Sequence, residues 1–228
     1  MQLGTLELNV IHTGDARELS LQIPDSSVDL IFTDPIYDRI EDYIWLAQTA
    51  KRILKPQGAV LCWSNGKWHR ENANWLECGG LKYRWDFGCI THKSNVPMNG
   101  KIIAKNNRLL WVDLTCTSKM HDYLPDGFFA RVQNFGANTK HAFFKWTKDP
   151  LFTAKAIKAF SNEGSIIFDP FAGGGTVPAV CKMLNRNFLA CEIEPETAEQ
   201  ARARLIQVMP LLEEQMQEEL FNEGFAAA

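Results

Sequence analysis

The stretch from Ser165 to Glu192 constrains this chain more than any other. Ser165-Ile166-Ile167-Phe168 is a short apolar run, and Asp169-Pro170-Phe171-Ala172-Gly173-Gly174-Gly175-Thr176 is a glycine-rich loop. Val177 to Leu184 then has a helical pattern, and Phe188-Leu189-Ala190-Cys191-Glu192 is a second apolar run closed by an acid. Strand, tight loop, helix and strand in this order demand a parallel pair, because the helix must carry the chain back across the sheet. The glycines let the backbone approach a ligand, and the helix start offers free N–H groups to a carboxylate or phosphate. Glu192, 17 residues beyond Gly175, is placed to accept hydrogen bonds from ribose hydroxyls. The dinucleotide fingerprint G-x-G-x-x-G is broken, since Pro178 takes the third glycine's position after Gly173 and Gly175. That weakens a nicotinamide oxidoreductase. An ordinary tight turn explains the glycine run equally well, and the acid at this distance tips the reading toward a nucleoside site.

The rest of the chain repeats the alternation. Val28 to Thr33 reads as a buried strand that stops at Asp34-Pro35. Asp42 to Leu54 has helical spacing, Lys55-Pro56-Gln57-Gly58 ends it, and Ala59 to Trp63 is the next strand. Leu151 to Phe160 and Pro195 to Val208 read as helices, the latter with proline at its start. Trp85 to Thr91 and Arg108 to Thr115 are candidate strands in an otherwise less regular middle. The pattern predicts an α/β fold with a mostly parallel sheet covered by helices. Residues 1–228 are read as one domain, with 65–147 as a less regular insert suited to substrate or DNA recognition.

Composition excludes several classes. With 46% hydrophobic and 22% charged residues the chain is neither disordered nor fibrous. No apolar run approaches the roughly 18–20 residues of a membrane helix. The N-terminus lacks the basic start and apolar stretch of a signal peptide, so a cytoplasmic protein without a membrane partner is expected. The six cysteines include no C-x-x-C pair, which suits neither zinc nor a disulfide scaffold, and no metal is expected. The net charge of −3 hides an asymmetry: Lys93 to Lys148 carries nine Lys or Arg against three Asp or Glu, while Glu192 onward carries nine Glu against two Arg. The basic part suits an anionic partner and the acidic part a solvated helix, although charges that merely keep the surface soluble would look the same.

Thr33-Asp34-Pro35-Ile36-Tyr37 can handle an amine. A carboxylate and the next carbonyl can accept both N–H groups of one exocyclic amine, pull it toward tetrahedral geometry and free a lone pair otherwise delocalised into the ring. Tyr37 could stack on a planar base. Taken alone, an Asp-Pro turn accounts for these residues better.

The two loops together resemble the amino-methylating DNA methyltransferases. Asp34-Pro35-Ile36-Tyr37 resembles the catalytic D-P-P-Y tetrapeptide of that family, and Asp169 to Thr176 its D-P-F-x-G-x-G-T cofactor loop. The catalytic motif precedes the cofactor motif, as in the permuted β group. Gly14-Asp15, Arg52-Ile53-Leu54-Lys55-Pro56-Gln57-Gly58 and Lys140-His141 with Lys145 resemble further family segments in the same order. The chain departs at Ile36, where a second proline is usual, and at Trp146, where a proline usually follows the lysine. Lys148-Asp149-Pro150 comes just after, which leaves open which lysine faces the ligand.

The resemblance implies a doubly wound, Rossmann-like class I methyltransferase fold with circularly permuted motif order. It implies S-adenosylmethionine as cofactor, with Asp15, Asp34, Asp169, Phe171, Gly173, Gly175, Thr176, Glu192 and Lys145 binding it. It also implies Asp34, Pro35 and Tyr37 as catalytic residues, and methylation of the kind used in restriction–modification. DNA is the expected partner, as a duplex with a flipped base or as a single strand. Its backbone would be met by Lys93, Lys101, Lys105, Arg108, Lys119, Arg131 and Lys140, interleaved with Trp111, Tyr123, Phe128, Phe129, Phe135 and Trp146. The short middle region suits a short or relaxed target site. Asp at the first motif position favours adenine N6 over cytosine N4. A protein-amide methyltransferase and a catalytically silent DNA-binding module are the readings from other classes, and homodimer formation is left open.

Overall fold

The structure is a computed structural model and describes residues 1–91, 97–98, 102–103, 106–130 and 148–208. Eight strands form the main sheet: β1 (Ile11–Thr13), β2 (Val28–Thr33), β3 (Leu54–Asn65), β4 (Lys82–Thr91), β5 (Asn106–Asp113), β6 (Gly127–Ala130), β7 (Ile166–Asp169) and β8 (Asn187–Glu192). Their spatial order is β6-β4-β5-β3-β2-β7-β8-β1. β5 runs antiparallel to both neighbours, and every other pairing is parallel. The mostly parallel, helix-covered sheet expected from the sequence is present.

The central strands are rich in apolar residues on both sides because both faces are covered. Leu30, Phe32, Leu61 and Trp63 point into one layer with α4 (Pro150–Phe160), α5 (Thr176–Met183) and α6 (Pro195–Gln207). Val28, Ile31, Val60 and Cys62 point into the other, with α1 (Ala16–Ser20), α2 (Ile40–Ile53) and α3 (His69–Cys78). The chain leaves β2 for α2 on one face and β7 for α5 on the other. Right-handed crossovers running in opposite directions require this divergence. The neighbouring ends of β2 and β7 therefore flank a topological switch point, where an open α/β sheet has its crevice.

Local chemistry sets the boundaries. α2 buries Tyr43, Leu46, Ala47, Ala50 and Ile53, one apolar stripe at helical spacing. Lys55 to Gly58, expected as a turn after α2, is instead the start of β3, with the register against β2 shifting between Val28 and Leu30. Lys55 Nζ bonds Asp29 there at 2.7 Å, and the other Asp29 oxygen accepts the Ile166 N–H at 2.8 Å, so this corner ties three strands together. The middle segment contributes α3, β4, β5 and β6, three of these being strands of the main sheet. α3 went unread because its sequence is mostly polar, with only Asn72 and Leu76 buried.

α2 and α3 touch where no side chain fits. A Cβ on Gly79 would stand 2.3 Å from the Ala47 Cβ. Gly79→Ala is expected to cost about 1–3 kcal/mol through overpacking, a Tm loss of roughly 2–12 °C for a chain of this size. Gly66→Ala, where nothing lies within 4 Å, is the matched control and should leave Tm unchanged in thermal melts.

Candidate functional site

The crevice at the switch point is a cavity of about 310 Å³. Thr33 and Asp34 line it from the end of β2, Trp63 from β3, and Asp169, Phe171 and Gly173 from the end of β7 and the loop after it. The two loops that resembled family motifs thus share one cleft although 135 residues separate Asp34 from Asp169. Thr33 Oγ1 donates to Asp169 Oδ1 at 3.0 Å across the two strand ends.

Asp34 and Lys148 form the polar centre. Lys148 Nζ lies 2.9 Å from Asp34 Oδ2 and donates to the Tyr37 hydroxyl at 2.6 Å. The ammonium also stands over the rings of Tyr37 and Trp63, 5.3 and 5.4 Å from their centroids, a placement that favours a shielded cation. Asp34 Oδ1, by contrast, is buried with no hydrogen-bond partner. A buried carboxylate oxygen left this way is costly and marks a place where a donor belongs. Burial, followed by the neighbouring Asp34 carboxylate, pushes the Tyr37 phenol up, so it stays protonated.

The glycine loop is held from below. Asp169 is buried and accepts from Thr33 Oγ1 and from the Phe171 N–H at 3.2 Å. Burial pushes its carboxyl up to about 8, against the lowering effect of those two bonds. Glu192 accepts the Gly173 N–H at 2.8 Å on one oxygen and the Glu194 N–H at 2.9 Å on the other. Phe171 packs edge-on to Trp45 of α2, ring centroids 5.8 Å apart, which carries the loop's position across to the opposite helical layer. Gly175 has φ +72, and a Cβ there would come within 3.2 Å of Ala201 Cβ, so it serves the tight turn and the approach of α6.

The residues expected from the sequence therefore separate into groups. Asp34, Asp169, Phe171, Gly173 and Thr176 line the cavity. Pro35 is buried and Tyr37 half-buried beside it. Asp15 caps α1, accepting the Arg17 N–H at 2.8 Å, next to Gly14, whose N–H donates to the Glu192 carbonyl. Asp15, Glu192 and Gly175 are absent from the cavity wall among the described residues. Lys93, Lys101, Lys105, Arg131, Lys140 and Lys145, with Phe135 and Trp146, lie outside the described residues. Lys119 is exposed, whereas the Arg108 guanidinium is bonded to Asp86 on the neighbouring strand. Phe128 belongs to the core, Trp111 packs half-buried against it, and Tyr123 is exposed. The lysine in the cleft is Lys148, which the sequence had left open, while Trp63 looked like any apolar strand residue.

Known proteins resemble this chain in sequence and in fold. The family model for DNA methylase (N6/N4) matches residues 131–203. Type II methyltransferase M.BamHI of Bacillus amyloliquefaciens is 24% identical over 237 residues, covering 82% of this chain and 55% of that protein. The chain thus spans about half the length of that relative. Among solved structures, the cytosine-N4-specific PvuII DNA methyltransferase superposes with a TM-score of 0.74 at 16% identity, covering 92% of this chain and 90% of that one. The M1.HpyAVI–SAM complex gives 0.69 at 23%, covering 86% and 98%. Both place the fold among known DNA methyltransferase structures. Among the described residues no helix is long and apolar enough to cross a membrane, and no cluster of side chains could hold a metal ion.

Proposed function

We propose that this chain is an amino-methylating DNA methyltransferase that moves the methyl group of S-adenosylmethionine onto an exocyclic amine of a DNA base, with adenine N6 as the target. One observation carries the reading: Asp34 keeps one buried oxygen unpartnered and holds an ammonium on the other, in the cavity that the glycine loop also lines.

The cleft suits the cofactor. Gly173 and Gly174 present bare backbone to it, and nothing lies within 4 Å of where a Gly173 Cβ would be. Phe171, Gly173 and Thr176 would hold it, with Asp169 and Glu192 fixing the loop, while Asp34 is kept for the amine. When bound, it supplies an electrophilic methyl on a sulfonium.

The chain's own groups act on the amine. Asp34 accepts one N–H and faces the positive charge that develops on nitrogen, in a cleft where a fixed carboxylate counts for more than in water. The Pro35 carbonyl offers the second acceptor. Ile36 takes nothing from either, since neither acceptor belongs to it. Tyr37 offers a ring against which a base can stack, and the target base must leave a duplex to reach it. Asp rather than Ser at position 34, commoner among the family's adenine enzymes, favours N6.

The test is nucleoside mass spectrometry of unmodified DNA incubated with the protein and isotopically labelled S-adenosylmethionine. Labelled N6-methyladenine is expected. N4-methylcytosine would move the target to cytosine, and label confined to RNA or protein, or no label at all, would overturn the reading. DNA binding should also weaken with salt, roughly a hundredfold from 50 to 200 mM for about four neutralised phosphates. Lys119→Ala should flatten that slope by about one unit in fluorescence titrations. Arg108→Ala should leave it unchanged, because Asp86 already occupies the guanidinium.

A further inference from the structure

The catalytic tetrapeptide ends on a buried hub that no sequence motif announces. Asn72, fully buried in the first turns of α3, meets four polar atoms from four segments: Tyr43 Oη, Ser64 Oγ, the Trp68 carbonyl and the Tyr37 carbonyl. Two of these are hydroxyls that can donate, and two are carbonyls that only accept. Only one amide orientation satisfies all four. The Asn72 oxygen accepts from Tyr43 at 2.7 Å and Ser64 at 3.0 Å, and its nitrogen donates to Trp68 O at 3.1 Å and Tyr37 O at 2.9 Å.

The contact to Tyr37 is the informative one. At its start the tetrapeptide is fixed by the sheet, where Thr33 pairs with Cys62. After Tyr37 the chain turns out to an exposed run from Asp38 to Glu41 before α2 packs down. Beside the Arg39 N–H bond to the Ile36 carbonyl at 3.2 Å, the Asn72 amide is a side-chain clamp on the main chain at the far end of Asp34–Tyr37, while Lys148 holds the same tyrosine by its hydroxyl. A loop fixed at both ends keeps its middle carbonyl, that of Pro35, aimed in one direction.

We infer that Asn72 is a positioning residue for the transfer reaction: by donating to the Tyr37 carbonyl it sets the aim of the Pro35 carbonyl and the pose of the Tyr37 ring, without touching either reactant. The inference rests on the methyltransferase reading for its kinetic consequence, but not for its structural one.

Asn72→Leu tests it, because the near-isosteric apolar side chain can donate to neither carbonyl. Asn72→Ser is the fallback should that variant fail to fold. Tyr43→Phe is the control, since it removes a bond on the oxygen side of Asn72 and keeps both carbonyl contacts. In either Asn72 variant kcat should fall about a hundredfold, as expected for a small misplacement of reacting groups, with the S-adenosylmethionine Kd within about twofold. Tyr43→Phe should retain wild-type kcat. Amide hydrogen exchange supplies a readout independent of turnover: peptides covering 34–39 should exchange about tenfold faster in the Asn72 variants, while those from β3 and the body of α2 stay unchanged. If wild type fails to methylate DNA, the functional reading fails and the exchange data still decide the clamp. Unchanged local exchange, or an equal loss of kcat in Tyr43→Phe, would overturn the inference even if wild type is fully active.

Discussion

Asp34→Ala should lower methyl transfer about a thousandfold, while S-adenosylmethionine binds within about threefold of wild type. The size follows from what is removed. The side chain provides the buried oxygen with no partner, the charged acceptor for an N–H whose nitrogen becomes positive during attack. A second consequence must be separated from the first. Lys148 has only 18% of its side chain exposed, and without Asp34 its ammonium sits in the cleft uncompensated. Stranding such a charge costs up to about 3–5 kcal/mol of stability. Asp34→Asn keeps the volume and one acceptor oxygen, so it should fold better than the alanine variant while sharing most of its rate loss. Rates and Kd values are to be compared below the melting transition of each variant. Persistent transfer in Asp34→Ala, or loss of cofactor binding by a folded variant, would remove Asp34 from the role assigned to it.

The second large effect concerns stability against pH. The Asp169 carboxyl titrates near 8 in the folded chain because it is buried, against 3.8 for the ordinary group. The folded state therefore holds a proton that the unfolded state releases, and unfolding becomes easier as pH rises through the interval. The sign is opposite to that of a salt-bridged aspartate. Asp169 contributes most below pH about 4, and that contribution is lost progressively up to about pH 8. Other groups titrate in the same range, so the informative quantity is the difference between wild type and Asp169→Asn. Asn can still accept from Thr33 Oγ1 but carries no charge to desolvate. Wild type should lose several kcal/mol relative to the variant between pH 5 and 8, read as diverging urea midpoints. Parallel pH profiles for the two proteins would show that Asp169 does not hold its proton.

Much of this molecule could be read in advance where a residue's role is set by its own neighbours in sequence. The runs Val28 to Thr33 and Phe188 to Glu192 are mostly apolar because both faces of the sheet are covered, and they appear as strands at the expected places. Asp34 and Asp169 were legible as a pair only through motif order. What the order could not convey is that their strands are neighbours, which the switch point supplies. The sequence says least where partners are distant. β4 and β5 carry Arg84, Asp86 and Arg108, and the cross-strand pair Asp86–Arg108 is a bond that nothing local announces. Lys55 to Gly58 looks like a turn by composition, yet Asp29 on the adjacent strand draws Lys55 into the sheet. Asn72 has no local signal at all: its four partners lie on different segments, and a polar residue on a polar helix gives no hint of burial.

The Lys148–Asp34 pair bears on which bases the cleft can accept. The ammonium already takes Oδ2 and stands over the Tyr37 ring, which on the proposed reading leaves Oδ1 as the acceptor for an incoming amine. Adenine and cytosine bring an amino group that this oxygen can accept. A thymine ring offers a carbonyl oxygen at the corresponding edge, which would set lone pair against lone pair. On the proposed reading the unpartnered Oδ1 favours an amino-bearing base over that one, before any methyl donor is involved.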